Sequence, residues 1–161
     1  MPQIKTVVTS CDLVTAYGEG VLSCWEGVAS SQGAIHKVER FSTDSFTSKN
    51  AATVAGLKYL GKDSLIMQMF SLLLRRNTAI IPSDAALVLA TTTGEIDILE
   101  KQVLEGVGDV KESRFSFLLE RVKAFTEIKG EGAIVSSACT SSIAALGFAS
   151  SLIQSGKHDC V

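Results

Sequence analysis

Two short runs of this chain carry no polar side chain, Ala85–Ala90 ("AALVLA") and Ala133–Val135 ("AIV"). A strand solvated on one face alternates apolar and polar residues, whereas a strand covered on both faces reads as a continuous apolar run. The first run passes into Thr91 to Gly94, and the second continues into Ser136 and Ser137, so that Ala133 to Ser137 ("AIVSS") predicts a buried strand. Between them lie two segments of helical spacing. Ile96, Leu99 and Val103 mark one, and Phe117, Leu118, Val122 and Phe125 the other. Strands separated by helices predict an α/β layer structure with a largely parallel sheet.

The rest of the chain continues the alternation. Ile4 to Ser10 ("IKTVVTS") is rich in β-branched residues and predicts a strand. Val21, Leu22, Trp25 and Val28 fall on one helix face. Glu39 to Thr53 is polar and irregular and predicts a loop. Leu65 to Arg76 predicts a buried helix whose closing arginines suit the negative end of its dipole. The closing Asp159-Cys160-Val161 predicts the onset of a further strand. With no repeat and no dividing linker, residues 1–161 are expected to form one domain.

Charge and cysteine usage narrow the function classes. A net charge of −2, a pI near 5.7 and no basic run longer than Arg75-Arg76 argue against a nucleic-acid partner. No segment approaches the roughly 18 consecutive apolar residues of a membrane span. The first residues lack the apolar stretch of a signal peptide, so a cytoplasmic address is the expectation. Cys11, Cys24, Cys139 and Cys160 form no CxxC pair, and neither histidine stands at zinc-ligand spacing from one. Free thiols, with no metal and no cofactor, are expected.

Cys139 has a setting the other three lack. In "AIVSSACTSSIAALG" an apolar strand runs into a corner, and a helix begins with Thr140, Ser141 and Ser142. Such hydroxyl residues are favoured near helix N-termini, where their oxygens satisfy unpaired N–H groups. The helix that follows is built from small residues, including Ala144, Ala145, Gly147 and Ala149, and so suits close packing in the middle of a layered domain. A reactive side chain on a tight strand-to-helix turn facing a pocket is the nucleophile-elbow arrangement. A helix N-terminus favours an anion by ~1 kcal/mol, which assists a thiolate without completing its activation. A neighbouring proton acceptor or cation completes it. Cys11, Cys24 and Cys160 read as structural.

The segment "SSACTSSIAALGFASSLIQSGKHDCV" closely resembles the active-site segment of the β-ketoacyl synthases, members of the thiolase-like condensing enzymes. In that family an "(S/T)AC(S/A/T)(S/T)S" turn carries the acyl-accepting cysteine. The opening "VVTSCDLVTAYGEGVLSCWEGVASSQGAI" resembles the family's first strand, glycine turn and Trp-bearing helix, with Trp25, Gly33, Ala34 and Ile35 matching. "ALVLATTTGEID" resembles a later strand and its Thr/Gly turn. The likeness spans nearly the whole chain in the right order.

The resemblance implies a thiolase-like layered fold, of which this chain is the N-terminal part. It implies that Cys139 takes an acyl group from an acyl carrier protein and condenses it with a decarboxylating malonyl thioester. The histidines, lysine and glycine-rich loop that complete condensation in the family are expected beyond Val161. His36 and His158 read as solvated turn residues rather than as substitutes. A homodimer or heteromer is expected, because a half-finished sheet leaves an edge and an apolar helix face uncovered. The alternative is a non-catalytic partner subunit that sets chain length or docks carrier protein. A cysteine acyltransferase or hydrolase on another fold is a third reading, and it needs a histidine partner for Cys139.

Overall fold

The computed structural model describes residues 5–76 and 80–161. Two compact units emerge, one of Ser10–Thr78 and one of Met1–Thr9 with Ala79–Val161.

In the first unit, β1 (Val14–Thr15) and β2 (Gly18–Glu19) pair antiparallel across the two-residue turn Ala16-Tyr17. The helix α1 (Val21–Ala29) follows. Tyr17 lies so close to this helix that a Cβ on Gly27 would fall 2.1 Å from its ring, and its hydroxyl donates to Gln32 O at 2.9 Å. The helix forms where apolar spacing predicts it, yet Trp25 on its apolar face is 67% exposed.

β3 (Ile35–Lys37) and β4 (Asn50–Ala52) form a second antiparallel ladder, with His36 opposite Ala51. β4 lies inside the segment expected to be a loop. Its Asn-Ala-Ala sequence has neither β-branched residues nor alternation, so backbone pairing with β3 creates a strand that propensity does not announce. Phe41 of the intervening loop meets Phe46 of the same loop and Tyr59 beyond β4, at 6.2 and 5.7 Å between ring centroids. The helix α2 (Leu65–Arg76) starts as an N-cap predicts, with Ser64 Oγ accepting the Met67 N–H at 3.2 Å. It is not the buried helix its composition suggests, because none of its residues is fully buried.

The second unit is the crossover the sequence predicts. β5 (Leu87–Ala90) leads to α3 (Ile96–Glu105), a 3-10 turn (Val110–Ser113), α4 (Phe115–Thr126) and β6 (Gly132–Val135). β6 returns parallel to β5, Leu87 opposite Gly132 and Ala90 opposite Val135. A second 3-10 turn (Ala138–Thr140) opens α5 (Ser141–Gln154). α5 packs on both strands and α4 on β6. The core gathers Leu118 and Val122 of α4, one turn apart, with Ala85, Ala86, Leu89, Ile128 and Ala145.

Three expectations need correction. Among the described residues parallel pairing is confined to β5 and β6, and the other two ladders are antiparallel. A two-residue turn or a hairpin loop reverses the chain, and only a helix-bearing crossover returns a strand in parallel. Lys5 to Ser10 form no strand, and Val7 and Val8 are exposed, because no neighbouring strand among the described residues pairs with them; Ile4 lies outside those residues. The closing residues are likewise not a strand, although Cys160 O accepts one bond from Ala86 N–H at 3.1 Å.

Candidate active site

β6 ends at Val135, and the chain passes through Ser136 and Ser137 into the 3-10 turn that carries Cys139. The backbone at Ala138 is left-handed, with φ +48°, a region that non-glycine residues enter at a cost. Local hydroxyl groups hold it there. Ser141 Oγ accepts the Ser137 N–H at 2.8 Å and donates to Ala138 O at 2.8 Å. Thr140 Oγ1 donates to Ser137 O at 2.7 Å and lies 2.9 Å from Ser137 Oγ.

These hydroxyls do not cap the helix as their position in sequence suggests. Neither Thr140, the N-cap residue, nor Ser141 turns its oxygen toward the N–H groups of α5; both face back into the turn. The result is a displayed thiol, since Cys139 is exposed while Ser141 beside it is 5% exposed. The tight strand-to-helix corner matches the expectation. The turn itself, from Ser136 to Thr140, is exposed.

No protein-family model matches the chain, and no curated protein matches it. Solved structures do, among them the following two. "The ishigamide ketosynthase/chain length factor" superposes with a TM-score of 0.65 at 18% identity, over 91% of this chain and 48% of its own. A β-ketoacyl synthase from Burkholderia phymatum STM815 superposes with a TM-score of 0.64 at 21% identity, over 94% of this chain and 44% of its own. The chain has a β-ketoacyl synthase-like fold. It spans less than half the length of each of these neighbours.

Within this ketosynthase-like chain the second unit keeps His158 away from Cys139. The two residues sit at opposite ends of α5, whose 14 residues rise about 21 Å. His158 is not the solvated residue its turn suggests. Its side chain is 15% exposed, and its buried Nε2 lies 3.7 Å from Glu131 Oε2, beyond hydrogen-bond reach. It lines a cleft of about 380 Å³ with Pro82, Asp84, Lys157 and Cys160, at the end of α5 remote from the elbow. His36 stands exposed on β3 in the other unit. All four cysteines of the ketosynthase-like chain are free thiols.

Sequence reasoning missed the inward turn of Ser141 and a buried ion pair between Glu95 and Arg121. Run of hydroxyls after Cys139 was the available signal for the first. The second joins residues 26 apart and leaves no local pattern.

Proposed function

We propose that this chain is the acyl-accepting part of a β-ketoacyl synthase-like condensing enzyme, with Cys139 as the acceptor. The observation that carries the reading is an exposed cysteine on a pinned strand-to-helix turn, in a chain with a ketosynthase-like fold. The Cys139 sulfur attacks the carbonyl carbon of an acyl carrier protein thioester. A new S–C bond forms, the carrier's S–C bond breaks, and the released carrier thiolate takes up the proton that Cys139 gave up. Backbone N–H groups at the head of α5 support the charge that develops on the acyl oxygen. No cofactor enters this exchange.

Condensation with a malonyl thioester is the second stage, and the resemblance assigns its histidines and lysine to the part of the family's fold that this chain does not span. We place the chain in the N-terminal part of a layered, thiolase-like architecture, in the cytoplasm, paired with a second copy or another synthase chain. Among the described residues no helix is long and apolar enough to cross a membrane. A non-catalytic partner subunit is the second reading, and it is supported by a neighbour whose name includes a chain length factor. An intact, displayed Cys139 favours the catalytic one.

Mass spectrometry after incubation with an acyl carrier thioester tests the proposal. The expected result is one acyl adduct on Cys139 that disappears in Cys139→Ser. An unmodified wild type, or an adduct that survives the substitution, rejects it.

A further inference from the structure

Ser137 arrives at the corner with a backbone N–H that no strand or helix ladder uses, and the Ala138 C=O beside it accepts the Ser141 backbone N–H. One side chain, Ser141 Oγ, accepts the Ser137 N–H and donates to the Ala138 C=O, through bonds of 2.8 Å each. That oxygen uses an acceptor site for one bond and its only proton for the other. It has no proton to offer a substrate, and at 5% exposure the residue is shielded from one. Ser141 also begins α5, so the bonds tie the corner to a rigid element. Cys139 stands between these backbone groups and Ser141, directly after Ala138 at φ +48°. An alanine does not hold this conformation by preference.

We propose that Ser141 is a positioning residue for Cys139, fixing where the thiol points by clamping the turn from inside. This deepens the acyl-acceptor reading and rests on it. Exposed Thr140 plays a lesser part, since its bonds to Ser137 are open to competition from water. Loss of the Ser141 hydroxyl leaves the Ser137 N–H without its partner and the Ala138 C=O with only the Ser141 backbone N–H, and releases the left-handed turn. The thiol then samples orientations from which attack on a bound thioester is poorly aligned.

The test uses the full chain with an N-acetylcysteamine acyl thioester as acyl donor and iodoacetamide as a general thiol probe. Modification of each cysteine is followed by peptide mass spectrometry. Ser141→Ala is expected to slow acylation of Cys139 about tenfold at saturating donor, equivalent to about 1.4 kcal/mol. The half-saturating donor concentration and the labelling of Cys11, Cys24 and Cys160 should stay unchanged. Ser141→Thr, which keeps the hydroxyl, should recover most of the rate. A wild-type rate in Ser141→Ala overturns the assignment, as does an equal loss in Ser141→Thr accompanied by faster labelling of all four cysteines.

If wild type takes no acyl group, the acyl-acceptor reading fails alone. The positioning role is then read from the Cys139 iodoacetamide rate, which should still differ between wild type and Ser141→Ala and be restored in Ser141→Thr. Should Ser141→Ala not fold, amide exchange in wild type decides. A Ser137 N–H exchanging at least tenfold more slowly than that of exposed Ser136 supports the clamp, and equal exchange overturns it.

Discussion

Arg121 on α4 donates from Nε to Glu95 Oε2 at 3.1 Å, and Glu95, at the head of α3, is 1% exposed. The guanidinium also donates to Glu112 O at 2.7 Å, so one side chain fastens three segments of the crossover between β5 and β6. A charge that deep is tolerated only while its partner remains. Arg121→Ala removes this cation from the buried Glu95 carboxylate and should cost up to about 3 kcal/mol. At that upper figure the melting temperature falls by roughly 6–12 °C in a chain of this size. Thermal unfolding followed by circular dichroism checks it, and a change below about 2 °C would refute a stabilising role.

Much of the second unit was legible because its signals are local. Continuous apolar runs marked β5 and β6, and helical spacing marked α3, α4 and α5 within a residue or two. The corner at Cys139 was legible for the same reason, since strand, cysteine and helix are contiguous. What stayed hidden depends on partners distant in sequence. β4 exists because β3 lies beside it, and Ile4 to Ser10 read as a strand although Val7 and Val8 meet no ladder. Glu95 and Arg121 are 26 residues apart and share no local pattern. Propensity describes a segment alone, whereas pairing is decided by what packs against it.

Gly130 gives a prediction that rests on space alone. The loop before β6 runs against the approach to β5, where Lys129 N–H donates to Ser83 O. A Cβ on Gly130 would stand 2.2 Å from Ala85 O and 2.6 Å from Asp84 O. Both obstacles are backbone, so no rotamer change relieves them. Gly130→Ala should destabilise the chain by about 2–3 kcal/mol through forced backbone displacement. Gly147→Ala is the control, since nothing stands within 4 Å of a Cβ there. Chemical denaturation of the two variants should separate them, and equal midpoints would contradict the close approach.

The acid limb of the stability curve should carry a contribution from Glu131. Its carboxylate accepts a 2.7 Å bond from Lys157 Nζ. That hydrogen bond, with the charge of Lys157 and a smaller effect of His158, holds its pKa below the usual 4.5. A depressed folded-state pKa stabilises the folded form above the unfolded value and ceases to do so as pH falls through the folded one. The melting-temperature gap between wild type and Glu131→Gln should therefore be constant above about pH 5 and narrow below 4.5. Melting temperatures between pH 6 and pH 3 test this, and a gap that does not close would show that the pair contributes nothing of this kind.

The last prediction concerns what covers α5. A helix that is apolar around most of its circumference belongs in an interior. Yet Ile143 is 68% and Leu146 59% exposed, with Phe148 exposed beside them. Gly147 and Ala144 on the same stretch leave room for close approach by another backbone. Fully burying a leucine or isoleucine side chain is worth about 1.5–3 kcal/mol. Two such residues on each side of a symmetric contact would contribute a large share of the free energy that association at micromolar concentration requires. The purified chain should therefore sediment as a dimer or larger species at that concentration. Leu146→Asp, which places a charge in the contact, should shift it toward monomer while leaving the far-ultraviolet circular dichroism unchanged. Sedimentation velocity decides the matter: a wild type that stays monomeric across the micromolar range would mean that copies of this chain do not cover the α5 face.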